Sequence, residues 1–323
     1  MALDSVELNE IKAFAIELAR NTGNILLEYF QQPLKVDYKG KNRGDDPVTE
    51  ADRKAEDYIQ EQLSKQFPTH SIVGEEGAGT GRAPTEFTWV VDPLDGTTNF
   101  YNNLPSFACS IALLHEGTPI VSAIFIPWPG PTVGRIFHAS LNGGAWESEI
   151  PLSVAPGDRP IAGRIVVLPR FTGNKFSVGD SLKKTPGERR SVGSIVYELA
   201  LIANGTYQYG LFGTPKSWDV AAGILLVKEA GGLVLSRNTG KEGWYNFSAF
   251  QSLPNEQIPG QKSLRDWTAP IIAGNPSMAK FVGEQIQENT FGFDYMKYKF
   301  GKFVPKVFYR LNKPSDQGAN TKR

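Results

Sequence analysis

Asp92 and Asp95 stand three residues apart in Asp92-Pro93-Leu94-Asp95-Gly96-Thr97-Thr98-Asn99-Phe100, directly after Thr88-Trp89-Val90-Val91, which reads as a buried strand. Two carboxylates leaving a strand end on a proline turn can bind a hard cation. The backbone N–H groups of the glycine and threonines beside them can take a phosphate. Three further acids belong to the same argument: Glu75 behind Ser71-Ile72-Val73-Gly74, Asp219 in Ser217-Trp218-Asp219, and Asp52 in Thr49-Glu50-Ala51-Asp52. If Glu75, Asp92, Asp95 and Asp219 converge, like charges about 4 Å apart repel by roughly 4 kcal/mol per pair at an effective dielectric near 20. Such a cluster needs shared protons or bound divalent cations. An all-oxygen ligand set suits Mg²⁺ or Mn²⁺ and disfavours zinc, which prefers Cys and His. His70, His115 and His138 are spread out and have no ligand spacing.

Each acid also has a purely structural reading. Asp92 and Asp95 fit an Asp-Pro turn in which an Asp side chain bonds the backbone. The adjacent Glu75 and Glu76 fit a solvated surface. Asp219 fits a helix cap, and Thr49-x-x-Asp52 has the form of a capping box. Their joint occurrence in this order, more than any one of them, points to a site.

The elements that must carry these residues follow from periodicity and punctuation. Leu8, Ile11, Ala15, Leu18, Ala19, Ile25 and Leu26 mark a helix from about Ser5 to Phe30, capped by Asp4 or Ser5. Residues 39–47 read as a loop. Thr49 to about Gln66 reads as a second helix, and Ser71 to Gly74 as a short strand delivering Glu75 and Glu76. The glycine-rich stretch 77–84 reads as a flap beside the metal site. Strands are expected at 106–114 and 119–126, and a hairpin at 135–141 and 145–148 around Asn142-Gly143-Gly144. After a boundary near 151–160, a strand is expected at 164–168 and a loop through Pro186. Helices follow at 194–203, 218–230 and 276–288, with short strands at 233–235 and 271–273. The expected division is an N-terminal α/β domain (1–155), a C-terminal α/β domain (156–290) and a basic-aromatic extension (291–323). That extension holds eight aromatic and eight basic residues against Asp294 and Asp316, and packing on its own domain or a sister subunit is expected of it.

Composition bounds the reading. The chain has 323 residues, 40% of them apolar, enough for a sizeable core. Lys plus Arg balances Asp plus Glu at 34 each, so no global charge points to nucleic acid or an anionic membrane. The single cysteine, Cys109, excludes an intrachain disulfide. No apolar run reaches the roughly 18 residues that span a bilayer. The first residues do not read as a signal peptide, so a cytoplasmic location is expected.

Gly74-Glu75-Glu76, Trp89 to Phe100, Trp218-Asp219-Val220-Ala221-Ala222-Gly223 with Glu229-Ala230-Gly231-Gly232, and Val48-Thr49-Glu50-Ala51-Asp52 together resemble the signatures of the inositol monophosphatase family of Mg²⁺-dependent, lithium-sensitive phosphatases. The resemblance spans roughly residues 8 to 285. It implies a layered αβαβα sandwich of the type shared with fructose-1,6-bisphosphatase, usually a homodimer. It further implies one Mg²⁺ on Glu75, Asp92 and the Leu94 carbonyl, a second on Asp92, Asp95 and Asp219, and a weaker third near Glu75. Gly96 and Thr97 would offer N–H groups to a small-molecule phosphate monoester. Thr97 paired with Asp52 would activate the attacking water.

Thr97-Thr98-Asn99-Phe100 fits the inositol monophosphatase branch. Animal members carry a glutamate six residues before the Trp-Asp pair, bonded to inositol hydroxyls, and Phe212 has that spacing here. Sugar phosphates, histidinol phosphate, fructose 1,6-bisphosphate and nucleotide 3′-phosphates therefore remain open as substrates. Ser194, Phe212 and Lys216 are candidate substrate contacts. A regulatory binding protein using the basic-aromatic extension is the rival class. Gly179-Asp180-Ser181-Leu182 matches a short serine-esterase signature, but no histidine follows His138 to complete it.

Overall fold

A computed structural model describes residues 4–38, 47–77, 85–129, 134–168, 176–237, 243–250 and 264–288. The flap at 77–84, apart from Gly77, and the extension 291–323 lie outside the described residues.

Alternating apolar positions build a seven-stranded sheet, in spatial order Ser71–Gly74, Phe87–Asp95, Ala108–His115, Thr118–Ile126, Arg135–Ser140, Ala145–Glu147 and Ile150–Pro151. The first pair is parallel and every later pair antiparallel. Phe87–Asp95 is buried on both faces, so it reads as an unbroken apolar run. Trp89 and Val91 face the helices Ser5–Tyr29 and Glu50–Gln66. Val90 faces the opposite layer, the helices Ile195–Ala203 and Ser217–Glu229.

Those two helices are apolar nearly all round because both sides are covered. Gly223 allows their close approach: a Cβ there would lie 2.5 Å from Leu199. Their far side packs on a four-stranded antiparallel sheet ordered Tyr209–Phe212, Ile271–Gly274, Leu233–Ser236, Tyr245–Asn246. The helix Pro276–Gln285 covers that sheet's outer face. The layers run helix, sheet, helix, sheet, helix, which is the expected αβαβα sandwich.

The first helix starts at an Asp4 capping box, with Asp4 Oδ1 accepting from Val6 and Glu7 N–H. The second starts at the Thr49–Asp52 box. Three short elements go beyond the expected ones, two of them within the stretch read as a loop through Pro186. Phe176–Val178 is a strand paired with Ile286–Glu288, so the last helix ends at Gln285. Asp180–Lys184 is a single helical turn, and Tyr209–Phe212 is a strand paired with Ile271–Gly274 on one side and bridged to Val167 on the other. Each is too short for its own periodicity to announce it, and each is defined by a partner distant in sequence.

Candidate active site

The DPLDG segment does not leave its strand on a proline turn. Phe87–Asp95 continues through it, paired with Ala108–His115, and the register slips between Asp92 and Asp95. Asp92 sits opposite Ser110, and Asp95 opposite Ala108. Three residues on one strand thus match two on the other, which is a β-bulge. In a regular strand, positions three apart point to opposite faces. The bulge re-aims them, and both carboxylates line one cleft. Leu94 N–H donates to Asp92 Oδ1 (3.0 Å), which closes the bulge locally.

That cleft holds about 450 Å³ and is lined by Glu75, Asp92, Leu94, Asp95, Gly96, Thr97 and Asp219, with Lys216 and Arg265 at its sides. Glu75 arrives at the end of the strand Ser71–Gly74. Asp219 arrives on the first turn of Ser217–Glu229, where its Oδ2 accepts from Lys216 N–H (2.7 Å). Cap and cleft residue are therefore one side chain. Asp92 is pushed well above the usual carboxylate range, first by burial, then by the charges of Glu75, Asp95 and Asp219, and it shares a hydrogen bond with Glu75. Asp95 is raised by burial and then by Asp219. Ser194 Oγ (2.7 Å) and Val196 N–H (2.6 Å) donate to Asp95 Oδ2 and partly offset that rise.

The donor chemistry fits a hard divalent cation: two buried carboxylates, Asp92 and Asp95, raised by the acids around them, and the Leu94 backbone beside them. Among the described residues no three acidic, His or Cys side chains close into a ready-made cage. The fit therefore rests on the all-oxygen lining and on the mutual repulsion that a cation relieves.

Asp52 uses its two oxygens separately. Oδ2 accepts from Thr49 N–H (2.8 Å) and Thr49 Oγ1 (2.5 Å), which makes the cap. Oδ1 accepts from Thr97 Oγ1 at 3.0 Å. Thr97 Oγ1 also lies 3.1 Å from Leu94 O. Burial raises Asp52 to about 6, against the lowering effect of the Thr49 and Thr97 hydrogen bonds. Gly96 adopts φ +93 and starts the turn of helix Thr97–Tyr101, whose first N–H groups have no intrahelical acceptor.

Not every expected contact reaches the cleft. Phe212 is 3% exposed and packs in the core beneath the second sheet. Ser194 is buried and serves Asp95 and the start of its own helix, where its Oγ accepts from Tyr197 N–H (3.2 Å). Lys216 does line the cleft. Arg265 was not foreseen. Its guanidinium donates to the carbonyls of Gly74 (2.5 Å) and Glu75 (2.8 Å) and stands 5.5 Å from the Trp218 ring centre. Leu264-Arg265-Asp266 carries no motif, so no sequence signal marked it.

An acidic cleft over a helix start, set in an αβαβα sandwich, defines a hydrolase for phosphate monoesters. A profile of the inositol monophosphatase family matches residues 7–271, and the chain belongs to that family. The chain is 33% identical over 293 residues to an inositol-1-monophosphatase of Rhizobium meliloti, covering 88% of this chain and 96% of the relative. It is 31% identical over 278 residues to the quinic acid degradation cluster protein x of Neurospora crassa, covering 72% and 81%. The extragenic suppressor protein suhB of Bartonella henselae superposes with a TM-score of 0.64 at 28% identity, covering 87% of this chain and 98% of that one. An inositol monophosphatase of Anabaena (Nostoc) superposes with a TM-score of 0.62 at 26% identity, covering 86% and 95%. The family is metal-dependent as a rule. Among the described residues no helix is long and apolar enough to cross a membrane.

Proposed function

We propose that this chain is a Mg²⁺-dependent phosphatase that hydrolyses inositol monophosphate or a related sugar or polyol phosphate by attack of water. The observation that carries the reading is the meeting of Glu75, Asp92, Asp95 and Asp219 on one cleft that Thr97, hydrogen-bonded to Asp52, also lines. Glu75, Asp92, Asp95, Asp219 and the Leu94 carbonyl would hold two or three ions. Bound there, such ions supply charge to the phosphoryl oxygens and lower the pKa of the attacking water.

The protein's own groups do the rest. The Gly96 and Thr97 N–H groups hold the phosphate at the helix start. Thr97 Oγ1 takes a proton from the water as it passes its own to Asp52. With a pKa of about 6, Asp52 is ionised at neutral pH and poised as a base. Ser194 and Val196 fix Asp95, and Arg265 fixes the backbone of Glu75. Phe212 in the core leaves the animal enzymes' glutamate contact to inositol hydroxyls without a counterpart, which keeps other polyol phosphates beside inositol monophosphate. The family resemblance supports lithium sensitivity and a homodimer.

Specificity constants over a panel of phosphate monoesters, with Mg²⁺ and with EDTA, test the reading. The expected result is Mg²⁺-dependent turnover with a polyol phosphate preferred. Turnover that persists in EDTA, or none from folded protein with Mg²⁺, refutes it.

A further inference from the structure

We propose that Glu198 is a positioning residue for this site: its buried carboxylate clamps the Ser191–Gly193 loop and so fixes the two donors that hold Asp95. The inference rests on the reading above and extends it to a residue outside the cleft. Glu198 lies in the first turn of Ile195–Ala203 and is 2% exposed. Acidic side chains are almost never so buried without partners. Its partners are loop donors rather than a cation. Val192 N–H donates to Oε1 at 2.6 Å, and the Ser191 side chain and Gly193 N–H donate as well.

The same loop is gripped from its other side. Asn99 Nδ2 donates to Val192 O (2.7 Å) and to Ser106 O (2.6 Å), tying it to the segment after the bulged strand. Gly193 faces the cleft with φ +84. The next residues are the ones that bond Asp95: Ser194 through Oγ and Val196 through N–H. Thus Glu198 sets the loop, the loop sets Ser194 and Val196, and these set Asp95. Two backbone N–H groups and a hydroxyl converge on this carboxylate, and a Gln amide would offer them one acceptor oxygen in place of two.

Titration gives this arrangement a signature. Burial raises Glu198 to about 7, against the lowering effect of its three hydrogen bonds. The groups facing it are Tyr207, whose phenol burial and the Glu198 charge push up to about 12, with Tyr197 and Arg190 beside that phenol. Protonation near neutrality removes acceptor capacity, so the clamp is firm at pH 8 and loosened at pH 6.

The experiment measures Mn²⁺ binding to the full-length protein from the electron paramagnetic resonance signal of the free ion, at pH 8 and pH 6. Glu198→Gln should weaken binding at pH 8 roughly tenfold, the lower end of the loss usual for supporting-shell partners. At pH 6 it should match the wild type. Glu229→Gln is the control: its carboxylate accepts from Asn142 and Gly144 N–H on a distant hairpin. That change should lower the melting temperature without moving Mn²⁺ affinity. Folded Glu198→Gln protein with wild-type affinity at pH 8 overturns the inference, as does an equal loss in the control. If Glu198→Gln does not fold, Glu198→Asp, which retracts the carboxylate by one methylene, takes its place, and unchanged affinity there overturns it too. A wild type that binds no Mn²⁺ sinks the functional reading itself, and this inference with it.

Discussion

Replacing Asp95 by Asn takes one charge out of the cleft and leaves its shape. The Asn oxygen can still accept from Ser194 Oγ and Val196 N–H, as Asp95 Oδ2 does at 2.7 and 2.6 Å. Those two bonds lose their charge assistance, about 1 kcal/mol each. Against that, repulsion from Asp219, Glu75 and Asp92 is relieved. Each such pair is worth at most about 4 kcal/mol at 4 Å, and less where protons are already shared. The net expectation without metal is a variant more stable by roughly 1–2 kcal/mol, a rise in melting temperature of about 2–4 °C for a chain of this size. With Mg²⁺ at a hundred times its Kd, the wild type gains about 2.7 kcal/mol that the variant does not. The order of melting therefore reverses between EDTA and Mg²⁺, while turnover is lost in the variant. Thermal unfolding by circular dichroism at pH 7.5 in both conditions reads this directly. A variant that melts below the wild type in EDTA, or that gains as much from Mg²⁺, refutes the picture of mutually repelling ligands.

Thr97→Ala removes the hydroxyl next to Asp52 and should lower kcat about a hundredfold while KM moves little; an unchanged kcat removes Thr97 from water activation. Wild-type kcat at saturating metal should fall as pH drops through about 6, where Asp52 takes a proton and can accept no other. That acid limb should be gone from the residual rate of Asp52→Asn, and its persistence assigns it to another group. Gly96→Ala forces a Cβ to 3.0 Å from Ser106 O at φ +93, so denaturant unfolding should show a loss of about 1–3 kcal/mol; equal stability would mean the turn relaxes. The metal-free protein should lose stability as pH rises. Asp52 and Glu198 have folded pKa values of about 6 and 7 against ordinary values of 3.8 and 4.5, so the folded state holds protons that the unfolded chain releases. Stability is full below about pH 4 and is lost on rising through pH 6–7, by roughly 3 kcal/mol from Glu198 alone. A flat melting temperature in EDTA across that range contradicts it.

The long elements were legible because each announces itself locally. Asp4 and Thr49 cap helices whose apolar stripes are regular, and the hairpin around Asn142-Gly143-Gly144 shows its turn residues. The bulge between Asp92 and Asp95 was not legible, because a register slip is a property of two strands and only one carries the motif. Ser194 is a candidate substrate contact in the sequence, and in the fold its hydroxyl donates to Asp95 and accepts from Tyr197 N–H. A cap and a second contact coexist at Asp52, and Asp219 is both a cap and a cleft residue. A carboxylate has two oxygens, and a side chain held by a helix start is already oriented for work. Glu198 and Arg265 act through backbone groups of other segments, and such contacts leave no spacing in the chain to read.

The central helical layer bears on when activity can first appear during synthesis. Glu75, Asp92 and Asp95 leave the ribosome early, on adjacent strands, but among the described residues one face of their sheet is covered mainly by Ile195–Ala203 and Ser217–Glu229. The same second helix brings Asp219. A nascent chain that has not yet emitted it lacks both a cover for the sheet and the fourth acid of the cleft. If Asp219 holds an ion as proposed, the enzyme stays silent until most of its length has been translated, and a break near residues 151–160 would leave two fragments that must find each other before either is protected.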